Sequence, residues 1–112
     1  MNDILFQPAK KLARLIRSRK LSALEVMKAH IAQIERLNPK LNAIVTFLPE
    51  QALKQARAMD RRGARPGPLT GLPIAYKDLV PTKGIRTTFG SPIYAGNVPA
   101  EDHALVERLT AA

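Results

Sequence analysis

Apolar residues along the first sixty positions recur at three- and four-residue spacing, the pattern of helices that bury one face. Pro8 opens the first such stretch, with Ala9, Leu12, Ala13, Leu15 and Ile16 on one side. Lys10, Lys11, Arg14 and Arg17 occupy the other side. A second helix is predicted from Ser22, which forms an S-x-x-E capping box with Glu25, flanked by Leu21 and Val26 as a hydrophobic staple. Leu24, Met27, Ile31 and Ile34 carry it to about Leu37, where Asn38-Pro39 predicts a stop. His30 borders the apolar stripe and reads as packing. Residues 42–48 are rich in β-branched and aromatic types and predict a strand. Pro49 then starts a third helix to about Arg62, with Ala52, Leu53, Ala56 and Met59 apolar.

The periodicity breaks at Gly63. All six glycines and six of the nine prolines lie between Gly63 and Pro99, which predicts loops in place of regular elements. A long irregular stretch in a compact fold is usually functional or disordered. Leu69, Leu72, Ile74, Val80, Ile85 and Phe89 keep this one apolar enough to pack. Inside it, the short apolar run 72–76, bracketed by Gly71 and Pro81, predicts a buried strand that delivers Lys77 and Asp78 to a sheet edge. A last helix is expected with Asp102 as N-cap and Leu105, Val106 and Leu109 as its buried side. His103 falls in its first turn and is assigned no chemistry. That helix meets no Gly or Asn stop before Ala112, so a cut chain is expected. The order helix, helix, strand, helix, strand predicts an α/β layered fold.

Composition adds bounds. A hydrophobic share of 46% and mean hydropathy of −0.13 over 112 residues fit a soluble globular domain or part of one. No apolar run approaches the roughly 18 residues that span a bilayer, and the N-terminus does not read as a signal peptide. The absence of cysteine excludes disulfides and thiolate metal sites and suits a cytoplasmic protein. Two histidines, His30 and His103, argue against an all-protein zinc site. A net charge of +9 would ordinarily point to nucleic acid. However, residues 1–62 hold 13 Lys/Arg against 5 Asp/Glu and residues 63–112 hold 5 against 4, so the excess sits on helical solvent faces. The basic turn at 17–20 reads as a solvated helix end. Five scattered aromatics offer no stacking ladder. No nucleic-acid, membrane, metal or cofactor partner is expected.

Lys77 is the candidate for chemistry. An ammonium at a buried strand end must reach water, find a partner or lose its proton, and the residues alone leave all three open. Free lysine, with a pKa of about 10.4, is a poor base at neutral pH until its surroundings favour the neutral amine. The two-residue period of a strand sends Tyr76 and Asp78 to the face opposite Lys77. Asp78 is therefore expected to bond loop backbone. Thr87, Thr88 and Ser91 could anchor the following loop, help to position Lys77, or be ordinary turn residues. No phosphate-cradling G-x-x-x-x-G-K-[ST] or G-x-G-x-x-G string occurs, and no G-x-S-x-G elbow.

Three strings occur in a fixed order: Gly71-Leu-Pro-Ile-Ala-Tyr-Lys-Asp78, then Thr82-Lys-Gly-Ile-Arg-Thr-Thr-Phe-Gly-Ser91, then Val98-Pro-Ala-Glu-Asp102. Together they resemble the opening of the amidase signature family, with its G-[IL]-P-x-x-x-K-D strand, T-x-G-x-x-T-x-x-G-S segment and V-P-x-x-D helix start. The likeness is tight over residues 69–109 and loose over the rest. It implies an α/β/α fold with a mixed central sheet, of which residues 1–112 form the N-terminal segment of one amidase domain. Residues 1–62 would be a helical layer plus first strand, and residues 63–112 the start of the signature core.

The resemblance also implies the chemistry. The family hydrolyses carboxylic amides with a lysine, a bridging serine in a cis peptide and a nucleophilic serine, and Lys77 matches the lysine. Asp78, Thr88 and Ser91 are its expected supporting residues, and a small-molecule amide its substrate. The family's serines lie downstream in a Gly/Ser-rich stretch, whereas this chain has only Ser18, Ser22 and Ser91. The chain alone is thus expected to hold the base without the nucleophile and to be inactive. Leu79-Val80-Pro81 stand where the amidotransferase branch would carry an Asn-Ile type of continuation, which favours a general amidase over the related subunit of a glutamine-dependent amidotransferase. A non-catalytic assembly domain, pairing copies through an exposed core face, and a Schiff-base lysine are the other readings.

Overall fold

The computed structural model describes residues 4–61 and 66–112, which fall in two compact units, Met1–Pro73 and Ile74–Ala112. The first unit contains α1 (Ala9–Arg17), α2 (Ala23–Leu41) and α3 (Pro49–Met59). Its core is built from Leu12, Ala23, Val26, Ile31 and Ala56. Val26 is fully buried, which stabilises the unit by roughly 1.5–3 kcal/mol relative to exposure.

Each helix end in this unit has an identifiable cause. Arg19 stands at φ 56 after α1, where the Lys20 N–H reaches Leu15 O at 3.0 Å and the Arg19 N–H reaches Ile16 O at 3.0 Å. This is a Schellman stop with arginine in the place glycine usually takes. At the start of α2 the capping box is complete: Ser22 Oγ accepts the Glu25 N–H at 3.0 Å and Glu25 Oε2 accepts the Ser22 N–H at 2.8 Å. The two remaining end donors, the Ala23 and Leu24 N–H groups, go to the carboxylate of Asp60 at 2.8 and 2.9 Å. Asp60 directly follows α3, so it ties the end of one helix to the start of another. Gly71, at φ +84, lies against the same corner: a Cβ there would stand 3.0 Å from the Ala23 Cβ and 3.1 Å from Ile16 Cγ2.

Two expectations for this unit are corrected. The second helix does not stop at Leu37 but runs through Pro39 to Leu41 and closes on Asn42 at φ 50. A proline so near the end forfeits one backbone bond, which the remainder of a 19-residue helix outweighs. Asn38 is not a stop either. Its side-chain amide donates to Ile44 O at 3.0 Å and accepts the Ile44 N–H at 2.9 Å. Those two bonds take the Ile44 backbone groups that a strand at 42–48 would offer to a neighbour, and the segment is irregular. The third helix ends at Met59; Arg62 and Gly63 lie outside the described residues.

The second unit holds a 3-10 turn at Pro92–Tyr94 and α4 at Ala104–Ala111. Only Val106 among its apolar side chains is buried, alongside Thr87 and Thr88. Hydrogen bonds replace a large core. The His103 N–H donates to Pro81 O at 2.9 Å, the Lys83 N–H to Asp102 Oδ1 at 2.6 Å and the Gly84 N–H to Pro99 O at 3.0 Å. Thr87 and Asn97 exchange two bonds, both at 2.9 Å. Segments 81–87 and 97–103 therefore run antiparallel and are stitched together without a regular ladder. Asp102 is occupied by that stitching, and His103 is the N-cap of α4, its Nδ1 accepting the Leu105 N–H at 3.0 Å.

The expected mixed central sheet is absent: four α-helices and no strand occur among the described residues. The run 72–77 has no regular structure, and its nearby backbone bonds are local turns, Leu72 N–H to Leu69 O and Val80 N–H to Lys77 O. Apolar sequence makes a strand only when a neighbouring strand accepts its backbone groups, and none of the described segments does so here.

Candidate active site

The segment around Lys77 is fixed mainly by what its neighbours bond. Asp78 Oδ1 accepts the Thr88 N–H at 2.8 Å, and Oδ2 accepts the Thr88 hydroxyl. The Phe89 N–H donates to the Asp78 carbonyl at 2.9 Å. Two bonds from the Thr88 side chain and backbone thus hold the Asp78 carboxyl below its ordinary value of 3.8, with the hydroxyl the larger influence. Partial desolvation opposes the shift, and the Arg86 guanidinium adds a smaller pull in the same downward direction.

The remaining polar side chains serve their own turns. Ser91 Oγ accepts the Ile93 N–H at 3.3 Å and caps the 3-10 turn, while the Ser91 N–H returns to Thr88 O at 2.9 Å. Thr87 Oγ donates to Ile85 O at 3.2 Å. Ser18 donates to Leu15 O and Ser22 belongs to the capping box. Each of the three serine hydroxyls is therefore engaged by neighbouring groups of its own helix end or turn.

Lys77 itself is exposed. The dry strand end expected of it is not present in this unit, because enclosure needs a paired strand and covering side chains. Asp78 and Thr88 are brought together beside Lys77, whereas Ser91 is joined to them only through its N–H to Thr88 O. Asn97 and Asp102 bind the same loops; Asp102 closes the third motif string, whereas nothing in the sequence marks Asn97. The Asn97 contact has no local signal, because its partner lies ten positions away. Among the described residues of the first unit, pockets of about 350 and 630 Å³ are lined by residues around α1 and the turn at 66–72. Neither includes Lys77. No cluster of three metal-ligating side chains occurs among the described residues, and no helix among them is long and apolar enough to cross a membrane.

The family model for Amidase matches residues 25–112, a span that includes Lys77, Asp78, Thr88 and Ser91. The chain belongs to the amidase family. Within that family it is 49% identical, over 104 residues, to a glutamyl-tRNA(Gln) amidotransferase subunit of Methylococcus capsulatus, an alignment covering 91% of this chain and 21% of that relative. It is 44% identical over 115 residues to the subunit of the same name from Streptomyces coelicolor, covering 100% of this chain and 23% of the relative. The Carboxydothermus hydrogenoformans counterpart is 42% identical over 110 residues, with 96% and 23% covered. This amidase-family chain thus spans about a fifth of the length of those curated relatives.

Proposed function

We propose that the protein to which this chain contributes cleaves carboxylic amides, with Lys77 as the base of a serine–serine–lysine relay. The observation carrying this reading is the G-L-P-x-x-x-K-D string ending at Lys77-Asp78, inside the span matched by the family model. In the relay a neutral lysine takes the proton of a bridging serine, which takes that of the nucleophilic serine as it attacks the carbonyl. The proton later returns to the leaving amine or ammonia. In residues 1–112 each serine is engaged at its own helix end or turn, and Lys77 is exposed. We infer that the 112-residue chain is inactive alone and that it forms the N-terminal segment of a single amidase domain.

The test is turnover of simple carboxamides by the intact gene product carrying wild-type Lys77 or Lys77→Ala. Loss of turnover in the variant supports the reading, and undiminished turnover refutes it.

A second reading is favoured by the relatives: a glutamine-dependent amidotransferase, in which the same relay would release ammonia for a partner. Leu79-Val80-Pro81 favours the simple hydrolase instead. Hydrolysis of glutamine stimulated by copurifying subunits would decide for the transferase. Efficient hydrolysis of unrelated amides by the lone polypeptide would decide for the amidase.

A further inference from the structure

Several features of the second unit converge on the peptide that follows Lys77. Both carboxylate oxygens of Asp78 are taken by one residue, Thr88, through its N–H and its hydroxyl. The carbonyl of Asp78 accepts the next N–H, that of Phe89. Thr88 is buried, at 9% exposure, and its oxygen also accepts the Gly90 N–H at 3.3 Å. Phe89 sits at φ 54, a left-handed conformation that is costly for a bulky side chain. Its ring meets Tyr94 edge-on, with centroids 5.2 Å apart. Backbone held in such a conformation persists only where its surroundings over-determine it, and such places cluster at functional sites. Here the restraint falls on the residue adjoining Lys77.

We propose that Asp78 and Thr88 form a clamp that positions Lys77 through the backbone. This rests on the reading of Lys77 as the base. A proton relay needs the lysine nitrogen within about 2.6–3.2 Å of a hydroxyl. The lysine stem already carries several rotatable bonds, so any freedom of its Cα would multiply the misplacement of the nitrogen. Three hydrogen bonds from residues 88 and 89 to Asp78 remove that freedom. Asp78 and Thr88 are positioning residues and touch no substrate.

A double-mutant cycle on the intact gene product tests the clamp with a simple amide as substrate. Thr88→Val removes the hydroxyl at nearly constant volume. It should lower kcat about tenfold or more while KM stays within about twofold, as expected when a reacting group is displaced. Thr88→Ser, which keeps the hydroxyl, should restore most of the loss. In a Lys77→Ala background Thr88→Val should lower the residual rate no further, because its effect passes through Lys77. Should Thr88→Val fail to fold, Asp78→Ala takes its place in the cycle. The clamp is overturned if the folded Thr88 or Asp78 variant turns over like wild type, or if its penalty is the same with and without Lys77. A fully active Lys77→Ala protein rejects the base and the clamp together. An inert Lys77→Ala protein with a harmless clamp variant rejects the clamp alone.

Discussion

Thr88 gives its N–H and its hydroxyl to the same carboxylate, and the ionised form of Asp78 accepts both better than the neutral acid does. The folded value therefore lies below 3.8, and the sign of its pH effect follows. The stabilisation is fully present above the unfolded value and is lost as pH falls through the lowered folded one. In a carboxyl-carbon NMR titration of the 112-residue chain, Asp78 should titrate with a midpoint below 3.8, and Thr88→Val should move it upward. A wild-type midpoint at or above 3.8 would show that the two bonds do not form in solution. Gly71 carries a separate residue-scale constraint, since its positive φ strains any other residue and a Cβ would crowd the methyl of Ala23 at 3.0 Å.

At the scale of elements, Asp60 is the residue on which the first unit turns. It satisfies two end donors of α2 from a position just beyond α3, while Ser22 satisfies a third. Ala23 is fully buried, so its N–H would have little access to water once Asp60 is gone. Asp60→Ala should destabilise the unit by about 2 kcal/mol, measured by denaturant unfolding, against about 1 kcal/mol for Ser22→Ala. An Asp60→Ala protein as stable as wild type would mean that the cross-helix cap is dispensable.

The helix α1, the capping box and the start of α3 are readable in the sequence, because apolar spacing and cap residues are local signals. Asp60 is not readable as a cap, since its partners lie 36 and 37 positions away. The two predicted strands fail for a related reason. Residues 42–48 and 72–76 have strand composition, but Asn38 captures Ile44 and no neighbouring strand among the described residues receives the second run. Asp102 has the residue type of a cap, yet the Lys83 N–H claims it and His103 caps α4 instead. In the site, Lys77 and Asp78 are legible as a motif, whereas the Asp78–Thr88 pairing depends on a ten-residue loop closing on itself.

For the whole molecule, the second unit leaves large apolar side chains uncovered, among them Leu79, Ile93, Tyr94, Val98 and Leu105, with Ile93 at 88% exposure. The pairing of copies that the sequence offers as one reading would run through such residues. Sedimentation should then show a weight-average mass that rises with concentration, and a monomer at every concentration would exclude the pairing. The proposed function of the intact protein turns on one amine. Its most direct measurement is kcat of the intact gene product for a simple carboxamide, with Lys77 and with Lys77→Ala, at matched thermal stability. Removal of a general base predicts a fall of about a hundredfold or more. A Lys77→Ala protein that turns over at the wild-type rate would contradict the assignment of Lys77 as the base.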